Sequence, residues 1–314
     1  MAGGTGRAAP MTPDAYQPHR IFAAPAVPSA RTGRLIAGIF CVEFLFAIGL
    51  TLFGMVLNAV SPDLALSVFD GDTAAGLLLQ LTSFALLAAS VGIVLNRLHD
   101  RSFMTAIGAP DVAARDLTRA FLAVLAIYFL VEILPPWWST EELAGHRAPF
   151  LWLLMVPLGL IGLLIQTGAE EIFYRGYIQQ QLAARFDSPR VWLIVPNLLF
   201  AMAHWDNGTT QTESWQYMIW AFFFGLAASD LTARTGTLGA AVGLHLANNA
   251  YAFLLFGETD APDSGLSLFL LPPGGAMPAT ADGVAGGYVF SFDLFVDLSV
   301  VALSWLAARV ALRR

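Results

Sequence analysis

The sequence contains no lysine, a single cysteine and few charged residues. Charged residues make up 12% of the 314 positions, about half the share found in a typical soluble domain. The lone cysteine, Cys41, can form no intramolecular disulfide, so it carries no information about the redox compartment. A net charge of −7, without a basic patch interleaved with aromatics, excludes a nucleic-acid partner. All 16 basic residues are arginine, a bias that we interpret as GC-rich coding and hence a prokaryotic origin.

What the sequence has instead is long apolar runs, with hydrophobic residues at 57% of positions. A bilayer core needs about 17–25 apolar residues of helix, and eight segments approach that length. They lie at residues 35–60, 73–96, 117–134, 149–168, 191–204, 215–233, 237–256 and 287–310. The sequence therefore predicts an all-α, polytopic membrane protein with about eight transmembrane helices, in which residues 33–314 form a single transmembrane domain. Residues 1–32 lack the apolar core of a signal peptide and are predicted to be a disordered cytoplasmic tail.

Arginine placement predicts the orientation of these helices. With the N-terminus in the cytoplasm, 15 of the 16 arginines fall on the cytoplasmic side, and only Arg147 falls outside. Because basic residues are enriched in cytoplasmic segments, eight spans with both termini in the cytoplasm fit this distribution. We expect a multi-pass protein of the cell inner (plasma) membrane, surrounded by the lipid bilayer. The sequence leaves open the role of the long outer loop at 257–286.

Ionisable residues inside the apolar segments are the candidates for chemistry, because a charge at the bilayer centre costs about 2.5–3.5 kcal/mol on insertion scales. On a helix, Glu171 and Arg175 are i,i+4 neighbours and can form a clamp in which both charges persist. Glu170 is turned about 100° away and is free to react. Alternatively, both glutamates end a membrane helix among interfacial charges. One helix over residues 151–185 would be about 52 Å long, so a break at Gly168 is predicted.

Two further segments repeat the four-residue spacing, pairing Phe200 with His204 and His245 with Asn249. His204 can relay a proton or bind a metal as a neutral imidazole. The amide of Asn249 offers donors suited to a developing oxyanion. The simpler alternatives are an interfacial position for His204 and interhelical hydrogen bonding by His245 and Asn249. Counted along their helices at 1.5 Å per residue, the three motifs lie at depths that let them meet inside the membrane.

The ordered motifs Glu-Glu-x-x-x-Arg-Gly, Phe-x-x-x-His and His-x-x-x-Asn resemble those of a known protein family. This is the CAAX-protease and bacteriocin-processing (Abi) family of intramembrane proteases, in the bacterial branch related to type II CAAX prenyl endopeptidases. The matching block covers residues 150–256, about a third of the chain. The resemblance implies an all-helical eight-span fold, a catalytic core at about 150–256 and peptide-bond hydrolysis within the membrane. It places the catalytic positions on Glu170, Glu171, His204, His245 and Asn249, with Arg175 in support.

We therefore expect an intramembrane endopeptidase that cleaves a membrane-associated peptide or protein, with or without a lipid anchor. Glu170, assisted by His204, would activate a water as general base, and His245 and Asn249 would stabilise the oxyanion. Two other classes stay open. One is a proton- or ion-coupled transporter, since Glu/His sets also relay protons, although no inverted repeat is visible. The other is a non-catalytic membrane scaffold or immunity protein on the same fold.

The need for a metal is the remaining question about the chemistry. Glu170, His204 and His245 form a two-histidine, one-carboxylate set that matches the protein ligands of a catalytic zinc. No two of them share a helix turn, unlike the His-Glu-x-x-His pair of soluble zinc proteases. We favour a metal-free mechanism, because His245 and Asn249 on one helix face suit an oxyanion better than a metal shell. Zinc bound by the three side chains stays the alternative.

Overall fold

A computed structural model describes residues 14–133, 143–273 and 288–314 of the protein. The α-helices lie at Gln17–Ala23 (α1), Thr32–Val60 (α2), Pro62–Asp70 (α3), Ala74–Ser83 (α4), Ala85–His99 (α5), Pro110–Ile133 (α6), Pro149–Glu171 (α7), Gln180–Arg185 (α8), Pro189–Met202 (α9), Gln211–Thr235 (α10), Gly239–Leu254 (α11) and Phe292–Leu312 (α12). A π-helical segment, Ile172–Gln179, joins α7 to α8. Short 3-10 turns lie at Asp14–Tyr16, Ala24–Ser29, Phe103–Ala106 and Trp205–Asn207. The predominance of helix is confirmed.

Four helical segments of the described chain are long and apolar enough to cross a membrane. They are Thr32–Val60, Ala74–His99, Pro149–Arg185 and Phe292–Leu312. The other four predicted segments coincide with α6, α9, α10 and α11, which are shorter or carry more polar side chains. Helices α10 and α11 bury many of those polar side chains inside the bundle. Hydropathy therefore marks the lipid-facing helices more clearly than the central ones.

Helix α11 lies at the centre of the bundle, and its residues from Gly239 to Ala247 are all buried. Two glycines let α6 pack closely against it. A Cβ on Gly239 would lie 1.9 Å from the carbonyl oxygen of Ala113, and one on Gly243 would lie 2.4 Å from that of Leu117. This is the small-x-x-x-small spacing by which membrane helices approach at backbone distance. It fixes the position of the helix that carries two of the candidate site residues.

The helix through the first motif does not break at Gly168, so that prediction is wrong. Helix α7 continues to Glu171, the π-helical segment follows directly, and α8 ends at Arg185, which makes a run of 37 residues. At 1.5 Å per residue this run is about 55 Å long, so its ends extend beyond a hydrocarbon core of about 30 Å. The change in helical geometry comes at residue 172. Single π turns within helices frequently occur at functional sites, and this one contains Arg175.

The N-terminal segment is ordered from residue 14, so the predicted disordered tail is wrong for residues 14–29; residues 1–13 lie outside the described residues. Phe22 and Ala26 are buried against the bundle, and the His19 ring packs 4.5 Å from that of Trp192. The hydroxyl of Tyr16 donates to Asp230 at 2.6 Å. A few aromatic anchors thus order a stretch whose Ala- and Pro-rich composition predicted disorder.

A small three-stranded sheet is the one part of the described fold that the all-α prediction missed. Strands Gly145–His146 (β1), Phe256–Glu258 (β2) and Phe269–Leu271 (β3) lie in the order β1-β3-β2. Strand β3 pairs antiparallel with β1 and parallel with β2. Arg147, the arginine predicted to lie outside, donates to the carbonyls of Ser267 and Ser264 at 3.0 and 3.1 Å. The outer loop is therefore tied to the start of α7; its residues 274–286 lie outside the described ranges.

Candidate active site

Glu170 lies in the last turn of α7, with its two carboxylate oxygens in different environments. The amide of Gln166, one turn earlier, donates to Oε1 at 2.6 Å. Oε2 lies 3.7 Å from Nε2 of His245, is buried, and has no hydrogen-bond partner among the described residues. One oxygen of the carboxylate is thus held in place, and the other is free to accept a proton.

Glu171 and Arg175 form the predicted ion pair, with Nη1 of Arg175 3.0 Å from Oε1 of Glu171 and both side chains fully buried. Nη2 of Arg175 donates to Oδ1 of Asn197 at 2.9 Å and to the carbonyl of Gly225 at 3.1 Å. The guanidinium also lies over the ring of Phe200, 4.7 Å from its centroid. Buried charges need such partners, because desolvation costs several kcal/mol per ion. The clamp therefore joins α7, α9 and α10 through one side chain.

His245 links the clamp to Glu170. Its Nδ1 lies 2.9 Å from Oε1 of Glu171, and because a carboxylate can only accept, Nδ1 carries the hydrogen. Nε2 is consequently the nitrogen that faces Glu170. The rings of Phe200 and Phe224 pack edge-on against the imidazole at 6.1 and 5.2 Å. Glu171 thus serves two partners, and the second one comes from α11.

His204 lies just beyond α9, which ends at Met202. Its Nδ1 is 2.8 Å from the carbonyl oxygen of Phe200, and the two rings contact each other at a tilt of 50° with centroids 4.4 Å apart. A carbonyl can only accept, so Nδ1 is the donor and the neutral ring presents its lone pair at Nε2. Glu170 and His245 are both close enough to interact electrostatically with this histidine. His204 therefore contacts Phe200 as predicted. The hydrogen bond goes to the backbone carbonyl of Phe200, and His204 itself lies beyond the end of the helix.

Asn249 completes the group from α11. Its Nδ2 donates to Oε1 of Gln166 at 2.8 Å, and its Oδ1 accepts from Nδ2 of Asn248 at 3.0 Å. The structure thus brings these residues together in two hydrogen-bonded groups, one that joins Glu170 to Asn249 through Gln166 and one that joins Arg175, Glu171 and His245. The two groups meet where Nε2 of His245 lies 3.7 Å from Oε2 of Glu170, with His204 beside them. Sequence reasoning assigned no role to Gln166 or Asn197. Two features of the sequence could have pointed to them: Gln166 precedes Glu170 by one helical turn, and Asn197 is an asparagine within an apolar helix.

Hydrogen bonds hold the three predicted metal ligands at their outer atoms. Nδ1 of His245 is held by Glu171, Oε1 of Glu170 by Gln166, and Nδ1 of His204 by the carbonyl of Phe200. These bonds orient the side chains and leave Nε2 of His245 and Oε2 of Glu170 facing each other, 3.7 Å apart. No group of three or more His, Cys, Asp or Glu side chains among the described residues is placed to hold a metal ion.

The segment that carries this site is similar to a known protein family. Residues 150–251 match the family described as type II CAAX prenyl endopeptidase Rce1-like, which contains membrane endopeptidases of the CAAX-protease type. The resemblance seen in the motifs is thereby confirmed: residues 150–251 are similar to an Rce1-like domain. The chain is also 27% identical, over 263 residues, to the uncharacterized protein YyaK of Bacillus subtilis (strain 168). That similarity spans 80% of this chain and 84% of YyaK. No solved structure gives a significant match.

Proposed function

We propose that the protein is an intramembrane endopeptidase in which Glu170 activates the attacking water. The observation that carries this proposal is the free oxygen of a buried carboxylate, Oε2 of Glu170, opposite a histidine nitrogen inside an Rce1-like domain. A carboxylate held in a fixed orientation by Gln166 can take a proton from water without reorganising. Nothing in this step requires a side-chain nucleophile.

The proposed reaction uses each predicted residue once. Oε2 of Glu170 takes a proton from water as its oxygen attacks the scissile carbonyl, while Nε2 of His204 accepts the water's second hydrogen bond. The oxyanion is stabilised by the second amide hydrogen of Asn249 and, when both ring nitrogens of His245 carry a proton from the start, by the Nε2–H of His245, which keeps that proton throughout. Collapse of the tetrahedral intermediate breaks the C–N bond, and Glu170 returns its proton to the leaving amine. The products are an amine and a carboxylic acid, which retains the water's second proton and then loses it to solvent.

Glu171 and Arg175 support this chemistry without contacting the substrate, because they orient His245. The carboxylate of Glu171 accepts from Nδ1 of His245 and stabilises positive charge on that ring while the oxyanion forms. Arg175 neutralises Glu171 and anchors it to α9 and α10. The proposed mechanism uses no metal, because His245 and Asn249 on one helix face suit an oxyanion better than a metal shell.

The proposed substrate is a peptide or membrane-protein segment, with or without a lipid anchor, that enters from the bilayer. The protein would lie in the plasma membrane of a prokaryote, with eight spans and both termini in the cytoplasm. The arginine distribution supports this orientation, as 15 of 16 fall on one side. Four strongly apolar helices and four more polar ones, packed together, support the number of spans.

The proposal is tested with purified protein in detergent and a quenched peptide library. We expect cleavage by the wild type and none by Glu170→Gln, which keeps the size of the side chain but removes the base. Asp293→Asn is the matched control, because Asp293 is an exposed acid at the start of α12. A wild type that cleaves nothing would favour a transporter or a scaffold. Equal cleavage by Glu170→Gln would overturn the assigned base.

A further inference from the structure

A chain of four hydrogen bonds crosses three helices and ends on Glu170. Tyr128 on α6 donates to Oδ1 of Asn248 at 2.5 Å, and Nδ2 of Asn248 donates to Oδ1 of Asn249 at 3.0 Å. Nδ2 of Asn249 donates to Oε1 of Gln166 at 2.8 Å, and Nε2 of Gln166 donates to Oε1 of Glu170 at 2.6 Å. Every link joins side chains, so the chain is independent of the helical backbone bonds.

The chemistry of the two ends sets the direction of every link. An ionised carboxylate only accepts, so Gln166 must present its NH₂ group to Glu170 and its oxygen to Asn249. The same logic orients Asn249 and then Asn248. The hydroxyl of Tyr128 supplies the hydrogen that the last oxygen requires. A flip of any one amide would set oxygen against oxygen or nitrogen against nitrogen, so the network has a single orientation.

This direction matters because it delivers an N–H to one oxygen of Glu170 and leaves the other free. Gln166 is buried, with 8% of its surface exposed, and so is Tyr128, at 7%. Hydrogen bonds in such surroundings are stronger than in water and polarise one another along a chain. The rotamer of the carboxylate, and with it the direction in which Oε2 points, therefore depends on Gln166.

We propose that Gln166 is a positioning residue for Glu170, oriented by a polarised hydrogen-bond chain that begins at Tyr128. The assignment rests on the proposed function, since it concerns the base of that reaction. Gln166 would not touch the reacting atoms. It would hold Oε1 of Glu170 so that Oε2 faces the water.

The test measures kcat and KM of Gln166→Met, which keeps the length of the side chain and removes both hydrogen bonds. We expect kcat to fall roughly 10–100-fold, the factor for a hydrogen bond to a charged group, with KM nearly unchanged, because Gln166 orients the base and does not contact the substrate. Gln181→Met is the matched control, because Gln181 is equally buried but bonds to His99 and Ser29.

Tyr128→Phe provides a second variant that keeps the Gln166–Glu170 bond. Tyr128→Phe should lower kcat by a smaller factor than Gln166→Met does. The double variant should have the same kcat as Gln166→Met alone, since both substitutions act through one chain of hydrogen bonds. Additive effects, or a Gln166→Met enzyme with wild-type kcat, would overturn the assignment while leaving the proposed function intact. A wild-type protein without peptidase activity would overturn both the proposed function and the role of Gln166.

Discussion

Glu170 and Glu171 are adjacent in sequence, but their carboxylates have opposite surroundings. Glu171 is fully buried between Arg175 and His245, whereas 13% of the Glu170 side chain is exposed and it bonds to a neutral amide. Glu171→Gln should cost about 3–5 kcal/mol of stability, because it leaves a buried guanidinium without its countercharge. Glu170→Gln should stay within about 1 kcal/mol of the wild type. Thermal unfolding in detergent measures both, and equal losses would contradict the clamp.

At the residue scale the sequence predicted the pair within one helix and the approach of the three motifs, but not which side chains bond to each other between helices. The pair of Glu171 and Arg175 follows from i,i+4 geometry alone. The bond from Glu171 to His245 joins residues 74 positions apart, and that from Asn249 to Gln166 joins residues 83 apart. No spacing rule encodes such contacts, because they depend on how α7 and α11 pack.

At the scale of elements, a glycine on α10 makes room for the clamp. A Cβ on Gly225 would lie 2.4 Å from Oδ1 of Asn197 and 2.9 Å from Nη2 of Arg175. Gly225→Ala should therefore cost about 1–3 kcal/mol through overpacking and reduce activity by shifting Arg175. Gly168→Ala is its control, since a Cβ there meets nothing within 4 Å; it should be neutral or stabilise α7 by up to about 1 kcal/mol. The midpoints of thermal unfolding of the two variants test this prediction. A loss of stability in Gly168→Ala would contradict a continuous α7.

The N-terminal segment adds a pH dependence of its own. His19 is buried, neither ring nitrogen has a partner among the described residues, and burial lowers the pKa of this histidine to about 4 from 6.5. The unfolded segment binds a proton below pH 6.5 and the packed one does not, so packing is favoured above that pH and weakens as pH falls towards 4. Hydrogen exchange of residues 14–29, corrected for intrinsic rates, should speed up between pH 7 and 5. His19→Phe should abolish this increase in the exchange rate. The same pH response in the wild type and in His19→Phe would show that His19 is not its cause.

The elements that sequence reasoning misjudged share a physical reason. Hydrophobic periodicity located the helices, but it does not encode a π-helical segment at Ile172–Gln179 or short strands formed by loop pairing. The packing of residues 14–29 depends on a few side chains, such as Phe22, that meet surfaces distant in sequence. Average composition therefore predicted disorder where particular contacts produce order.

For the whole molecule, the arginine bias leads to a topology prediction. Reporter fusions after residues 65, 107, 143 and 314 should read outside, inside, outside and inside, because 15 of 16 arginines then lie on the cytoplasmic side. The long apolar helices α2, α7 and α12 meet the criteria for spans. The fusions test the more polar helices between them, and an extracytoplasmic C-terminus would refute eight spans.

The central claim is that Glu170 activates a water for peptide hydrolysis without a metal. The most direct measurement is single-turnover cleavage of one library-selected peptide by purified wild type and Glu170→Gln, each with and without a strong chelator. The account predicts the same cleavage rate for wild type in both conditions, and loss of at least about 10²-fold in the variant, as expected for removal of a general base. Cleavage by Glu170→Gln at the wild-type rate, or wild-type activity that chelation abolishes and zinc restores, would contradict it.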